Sequence, residues 1–96
     1  MQPGDIHVAD LNEEVRRRVF VVSNQRFSKA SARVIVVPEV LGPLDEVSFP
    51  WRIEIGGAVF AVDLLRSIPT VRLLELVDRA PYTDLAKVKR AIVHIT

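Results

Sequence analysis

Arg16-Arg17-Arg18-Val19-Phe20-Val21-Val22-Ser23-Asn24 opens with three guanidinium groups and runs straight into four apolar residues. A strand that is apolar on both faces has to be covered on both, so Val19–Val22 predicts a strand inside a barrel or against a second copy of the chain. Val34-Ile35-Val36-Val37, stopped by Pro38, repeats the pattern and predicts its neighbour. Between the two, Arg26 to Ala32 holds Phe27 among small residues and predicts a helical turn.

Working outward, Asp5 to Leu11 alternates, with Ile6, Val8 and Asp10 on one side and His7, Ala9 and Leu11 on the other, which predicts a first strand. A short polar loop, Asn12-Glu13-Glu14, separates it from the arginines. Beyond Pro38, Leu41 to Glu46 contains Gly42-Pro43 and reads as a loop. Ser48 to Ile55 then alternates at period two, with Phe49, Trp51, Ile53 and Ile55 against Pro50, Arg52 and Glu54. Gly56-Gly57 supplies the positive φ angles of a tight hairpin turn into Ala58–Val62. Arg66–Pro69 and Leu73–Val77 add short strands. The one clear amphipathic helix starts at Tyr82-Thr83, with Thr83 as the expected N-cap, Asp84 at the positive helix start, and Leu85, Val88, Ile92 and Ile95 in one apolar stripe that faces a sheet.

Sixteen valines and seven isoleucines fit a sheet-rich chain. With 96 residues, the expectation is one domain, mainly β with helices, in the form of a small barrel closed by a C-terminal amphipathic helix. The absence of cysteine excludes disulfide frameworks, thiolate metal sites and cysteine nucleophiles together. Thirteen basic against twelve acidic residues exclude action through bulk positive charge, so any nucleic-acid site must arise from local clustering. Met1-Gln2-Pro3-Gly4-Asp5 shows neither a basic start nor an apolar stretch, and nothing approaches a membrane-spanning length, so a cytoplasmic location is expected.

Arg16 to Arg33 is the informative charge feature: Arg16, Arg17, Arg18, Arg26, Lys29 and Arg33, with no acidic residue among them. A guanidinium at the mouth of a rigid strand meets phosphate with two donors and stays charged at any physiological pH. The alternative reading of the same charges is a solvated strand edge that blunts unwanted pairing. Asp63 and Arg66 could share one cleft or form an ordinary end-of-strand ion pair. Ser23-Asn24 lacks a nucleophile elbow and reads as a turn. Trp51 and Tyr82 could stack bases, whereas the alternating pattern places Trp51 in the core or at a dimer contact. His7 and His94 have no companions at ligand spacing, so no metal is expected, and with Walker and dinucleotide-type glycine loops absent no cofactor is expected either.

Three segments in this order, Gly4-Asp5-Ile6 to Asp10-Leu11, Arg17 with Val19-Phe20-Val21-Val22-Ser23-Asn24 and Arg26-Phe27, and Val34 to Pro38, resemble the MazF/PemK/Kid type of toxin. The likeness continues through Asp63-Leu64-Leu65-Arg66-Ser67-Ile68 and Arg72-Leu73. It implies an SH3-like barrel of the CcdB/PemK kind, a homodimer, and a sequence-selective endoribonuclease that cleaves single-stranded RNA without a metal. It also implies a cognate antitoxin whose flexible tail occupies the RNA groove. Arg17 holds the place of a family arginine that lines the cleavage site, Asp63 that of a carboxylate contributing to it in some members. Arg16, Arg18, Asn24, Arg26, Lys29 and Arg66 are the expected RNA contacts. The chain departs from the family in having Arg18 where a proline is usual, Val40 after Glu39 where a hydroxyl is usual, and a first loop about half the usual length. The alternative from another class is a non-catalytic toxin of this fold, a CcdB-like gyrase inhibitor or a partner-binding module. Val93-His94-Ile95-Thr96 does not match the Trp-Gly-Ile-like end of the gyrase inhibitors.

Overall fold

The computed structural model describes residues 1–41 and 49–96. Among these residues seven strands and two helices run in the order β1 (Asp5–Ala9), β2 (Arg17–Val21), α1 (Gln25–Ser31), β3 (Arg33–Pro38), β4 (Arg52–Ile55), β5 (Ala58–Ala61), β6 (Arg66–Pro69), β7 (Leu73–Arg79) and α2 (Tyr82–Ile95). Single 3-10 turns at Val62–Leu64 and Thr70–Arg72 precede β6 and β7. Every pairing is antiparallel, which agrees with the mainly β expectation.

Five strands form one sheet in the order β6-β3-β2-β1-β7, and β4-β5 form a hairpin beside it. The expected closed barrel is corrected: among the described residues β6 and β7 end the sheet without pairing to each other. The sheet nevertheless curls. Flat, its two edges would lie about 19 Å apart at ~4.8 Å per strand, but only the 3-10 turn Thr70–Arg72 connects β6 to β7, and such a turn rises only ~2 Å per residue. Ile68 of β6 and Leu73 of β7 consequently pack into the same cluster.

That curl explains the doubly apolar strands. Val19, Val21, Val34 and Val36 line the inside of the curl with Ala9, Leu11 and Ile68. Phe20, Val37 and Ile6 point outward, beneath the hairpin residues Ile55, Ala58 and Phe60 and the α2 residues Leu85, Val88 and Ala91. Phe20 and Phe60 meet edge to face with ring centroids 6.1 Å apart, an arrangement that aromatic quadrupoles favour. Glu39 bridges to Phe60, and the Val40 amide donates to the Val59 carbonyl at 2.7 Å, so the chain leaving β3 ties the hairpin to the sheet.

The β4-β5 turn places Gly56 at φ 56° and Gly57 at φ 81°, the paired left-handed conformation that a two-residue hairpin with right-handed strand twist requires. Three local expectations are corrected. The strand expected from Ser48 begins at Arg52, and Phe49 stacks on Trp51 at 5.0 Å outside the sheet. Most of the loop expected at Leu41 to Glu46, and Ser48 itself, lie outside the described residues, while Leu41 is exposed. Pro81, with its preset φ of −63°, is the N-cap of α2, so Thr83 lies inside the helix. Ala91 rather than Ile95 completes the buried stripe; Ile95, the last helical residue, is 43% exposed.

Candidate functional site

Arg17 is the first residue of β2, opposite Ala9 of β1. Its guanidinium is gripped from two sides. Nη2 donates to Glu13 Oε2 at 3.0 Å, and Nε lies 2.9 Å from Glu13 Oε1, an ionic contact without hydrogen-bond alignment. Nη1 donates to the Glu39 carbonyl at 3.1 Å. The Arg17 side chain is 21% exposed and that of Glu13 is 40% exposed. The guanidinium at the strand mouth is therefore capped by a carboxylate from the β1-β2 loop. Because Glu13 is well solvated, the cap is a surface pair contributing about 0–1 kcal/mol. Its two oxygens sit on the fork as two phosphate oxygens would, so a phosphodiester can take their place.

Arg18 is likewise engaged. The Glu39 carboxylate accepts from the Arg18 backbone amide at 2.9 Å, from Nε at 3.3 Å and from Nη2 at 3.1 Å. Glu39 is thereby neutralised beside Arg17 instead of standing there as a bare negative charge. Val40 offers only its backbone at this place, since its amide is bonded to Val59.

The rest of the basic window does not join this cluster. From Arg17 to Val21 alone β2 spans about 13 Å at ~3.3 Å per residue, and Asn24, Arg26 and Lys29 follow at its far end. Asn24 is the N-cap of α1: its Oδ1 accepts from the Phe27 amide at 2.8 Å, which gives this expected RNA contact a structural role at the helix start. Arg26 and Lys29 stand exposed on α1 beside a shallow concavity completed by Gln25 and Ala30. Arg16 is exposed just before β2. Ser23 is buried, with its hydroxyl accepting from the Ile35 amide at 2.9 Å, as the turn reading requires.

Asp63, expected near Arg17, is instead held in a two-point ion pair by Arg52 of β4 at 3.0 and 3.2 Å. The pair ties the 3-10 turn to the hairpin and gives Asp63 the ion-pair role that its sequence position also allowed, with Arg52 rather than Arg66 as the partner. Arg66 opens β6 and lies at the seam between the sheet edges, in a cleft that Arg33 and Arg72 also line. Sequence reasoning missed Glu13 as the partner of Arg17, although the pair stands four residues apart, and named Arg72 without assigning it to a site. His7 Nδ1 lies 2.8 Å from the Leu74 carbonyl, and His94 lies against Trp51 with ring centroids 6.4 Å apart. Among the described residues no group of three His, Asp or Glu could hold a metal ion, and no helix is long and apolar enough to cross a membrane.

Over residues 2–96 the chain matches the family of PemK-like, MazF-like toxins of type II toxin–antitoxin systems. No curated protein matches it significantly by sequence. Among solved structures, a mycobacterial endoribonuclease in complex with its cognate antitoxin is similar with a TM-score of 0.84 and 15% identity, covering 98% of this chain and 92% of that one. MazF from Deinococcus radiodurans gives 0.80 at 18% identity, covering 99% and 94%. The Mycobacterium tuberculosis toxin MazF-mt6 gives 0.78 at 16% identity, covering 94% and 93%. At such identities the likeness establishes a shared fold.

Proposed function

We propose, from the premise that the chain belongs to the PemK-like, MazF-like toxins of type II toxin–antitoxin systems, that it is an endoribonuclease acting on single-stranded RNA at the mouth of β2. The observation that carries this reading is the capped fork of Arg17, a guanidinium whose bound anion is a displaceable carboxylate. RNA brings its own nucleophile. The ribose 2′-hydroxyl attacks the adjacent phosphorus, the bond to the 5′-oxygen breaks, and the products are a 2′,3′-cyclic phosphate and a 5′-hydroxyl. The protein has to orient the phosphate, stabilise its developing charge, take a proton from the 2′-oxygen and return one to the 5′-oxygen.

Arg17 supplies charge stabilisation. Always protonated, it is a poor base but presents a planar fork that the Glu39 carbonyl holds from behind. Glu13, displaced by the phosphate it mimics, remains beside the reacting atoms and is the nearest carboxylate able to accept the 2′-hydroxyl proton. Asp63, paired with Arg52, positions the turn that leads into Arg66. Arg16 and Arg18 add positive potential around the mouth, and Arg26 and Lys29 form a separate ledge for a longer strand.

A second copy of the chain and an antitoxin complete the reading. Leu64, Leu65, Val71, Leu76 and Val77 are exposed large apolar residues that a homodimer would cover. A cytoplasmic location follows from the RNA substrate. The test is to incubate the protein with a long RNA in EDTA and map the ends. Discrete fragments ending in cyclic phosphate, abolished by Arg17→Ala, are expected; intact RNA at high protein concentration would overturn the reading.

A further inference from the structure

The seam between β6 and the start of the β1-β2 loop opens into a cleft of about 280 Å³. Arg33, Arg66 and Arg72 line one part of it, Leu11 and Asn12 another, with Ile68 at the apolar floor. Three guanidinium groups come together here from β3, β6 and the 3-10 turn, and no acidic residue is among the lining.

The three are not equivalent. Arg33 is fixed: its Nε donates to the Ser67 hydroxyl at 2.7 Å and its Nη2 to the Ser67 carbonyl at 2.9 Å, which leaves Nη1 available. Arg66, among the described residues, makes no ion pair or side-chain hydrogen bond. Arg72 lies 3.8 Å from the Asp10 carboxylate, a long contact to a group that already accepts from the Asn12 amide at 2.9 Å. This contrasts with Arg17 and Arg18, both of which have carboxylates at hydrogen-bonding distance. Among the described residues the seam therefore gathers three guanidinium groups, none of them capped by a carboxylate at hydrogen-bonding distance.

We infer that the seam cleft is a phosphodiester subsite for single-stranded RNA, in which Arg33, Arg66 and Arg72 hold backbone phosphates away from the bond that is cut. The inference rests on the ribonuclease reading for the identity of its ligand. Two features favour a strand over a single small anion. The guanidinium groups sit on three separate segments, so successive phosphates rather than one can meet them. The wall residue Asn12 directly precedes Glu13, so a strand in the seam lies against the loop that caps Arg17 and is continuous with the cleavage site.

The probe is a fluorescein-labelled 2′-O-methyl RNA twelve-mer, whose blocked 2′-oxygen prevents cleavage. Its affinity is measured across a salt series for the whole protein and for Arg66→Ala, Arg72→Ala and the double variant. Each lost phosphate contact should lower the slope of log affinity against log salt by about 0.7, and affinity at low salt should drop by roughly 3- to 10-fold per arginine. Arg66→Lys should restore part of the loss. Arg66→Ala removes no side-chain bond found in the structure, so folding is expected to be intact; thermal melting checks this, and Arg33→Ala, which loses the Ser67 bonds, is avoided. Unchanged slopes, or no binding by the wild type, overturn the inference. Unchanged RNA slopes with lost binding of polyglutamate also overturn it, in favour of an acidic peptide. Cleavage of unmodified RNA is scored separately: cleavage with unchanged slopes sinks the subsite alone, whereas altered slopes without cleavage sink the ribonuclease reading alone.

Discussion

Replacing Glu13 with Gln should move binding and turnover in opposite directions. The carboxylate sits on the Arg17 fork at 2.9 and 3.0 Å, and RNA phosphate has to displace it. With the Glu13 side chain 40% exposed, solvent screening holds the pair to about 0.2–1 kcal/mol. Its loss should cost folding no more than that, a melting-point decrease of at most ~5 °C for a chain of this size. The same quantity, no longer spent on displacement, should tighten RNA binding by roughly 2- to 5-fold. Turnover should fall about 10²- to 10⁴-fold, the usual contribution of a positioned general base. The assay is steady-state cleavage of a short fluorogenic RNA, separating kcat from KM, with affinity taken independently from the 2′-O-methyl analogue. An unchanged kcat would remove Glu13 from proton transfer. Weaker binding of the analogue would show that the carboxylate supports the RNA site instead of competing for it.

Further outcomes follow from the same geometry. Asn24→Ala should cost about 1 kcal/mol of stability through the lost α1 cap, and leave the affinity for the 2′-O-methyl RNA unchanged; weaker binding by the folded variant would make Asn24 an RNA contact as well as a cap. Arg52→Ala frees the Asp63 carboxylate and should lower stability by no more than ~1 kcal/mol because both groups are partly solvated, a value that denaturant melts can read. Phe20→Ala empties the fully buried contact with Phe60 and should destabilise by roughly 3–5 kcal/mol; loss of less than 1 kcal/mol would contradict the packing described for the outer face. Gly57→Val forces a branched side chain into a φ of 81° and should destabilise the hairpin by at least ~1 kcal/mol, seen as a lower melting temperature.

Much of the fold was legible because it is written in local patterns. Val19–Val22 and Val34–Val37 are apolar throughout, and both faces of those strands are covered, one by the curl of the sheet and the other by the hairpin and α2. Gly56-Gly57 marked its turn because few other residue pairs adopt two successive positive φ angles. Phe49 and Trp51 misled because alternation records which residues share a side, and two aromatic rings stacked on each other satisfy that pattern without any strand partner. Closure of the barrel was not legible for a related reason: whether β6 and β7 pair depends on the path of the 3-10 turn Thr70–Arg72, to which no periodicity corresponds.

Of the candidate site, the place of Arg17 at a strand mouth was legible and the spatial grouping of the charges around it was not, for a reason of length. A run of charges in sequence is a cluster in space only if the chain between them stays compact, and β2 is extended; it carries Arg17 to one end of the sheet and leaves Arg26 and Lys29 at the other. Arg33 and Arg66 stand 33 positions apart in the chain, but the register that sets Val36 against Arg66 and Arg33 against Pro69 brings them to one strand pair. No sequence window contains that grouping. Charge density along the chain therefore pointed partly to residues that carboxylates and a helix cap already engage, whereas Arg33, Arg66 and Arg72 are joined only by the antiparallel pairing of β3 with β6 and the short turn that follows it.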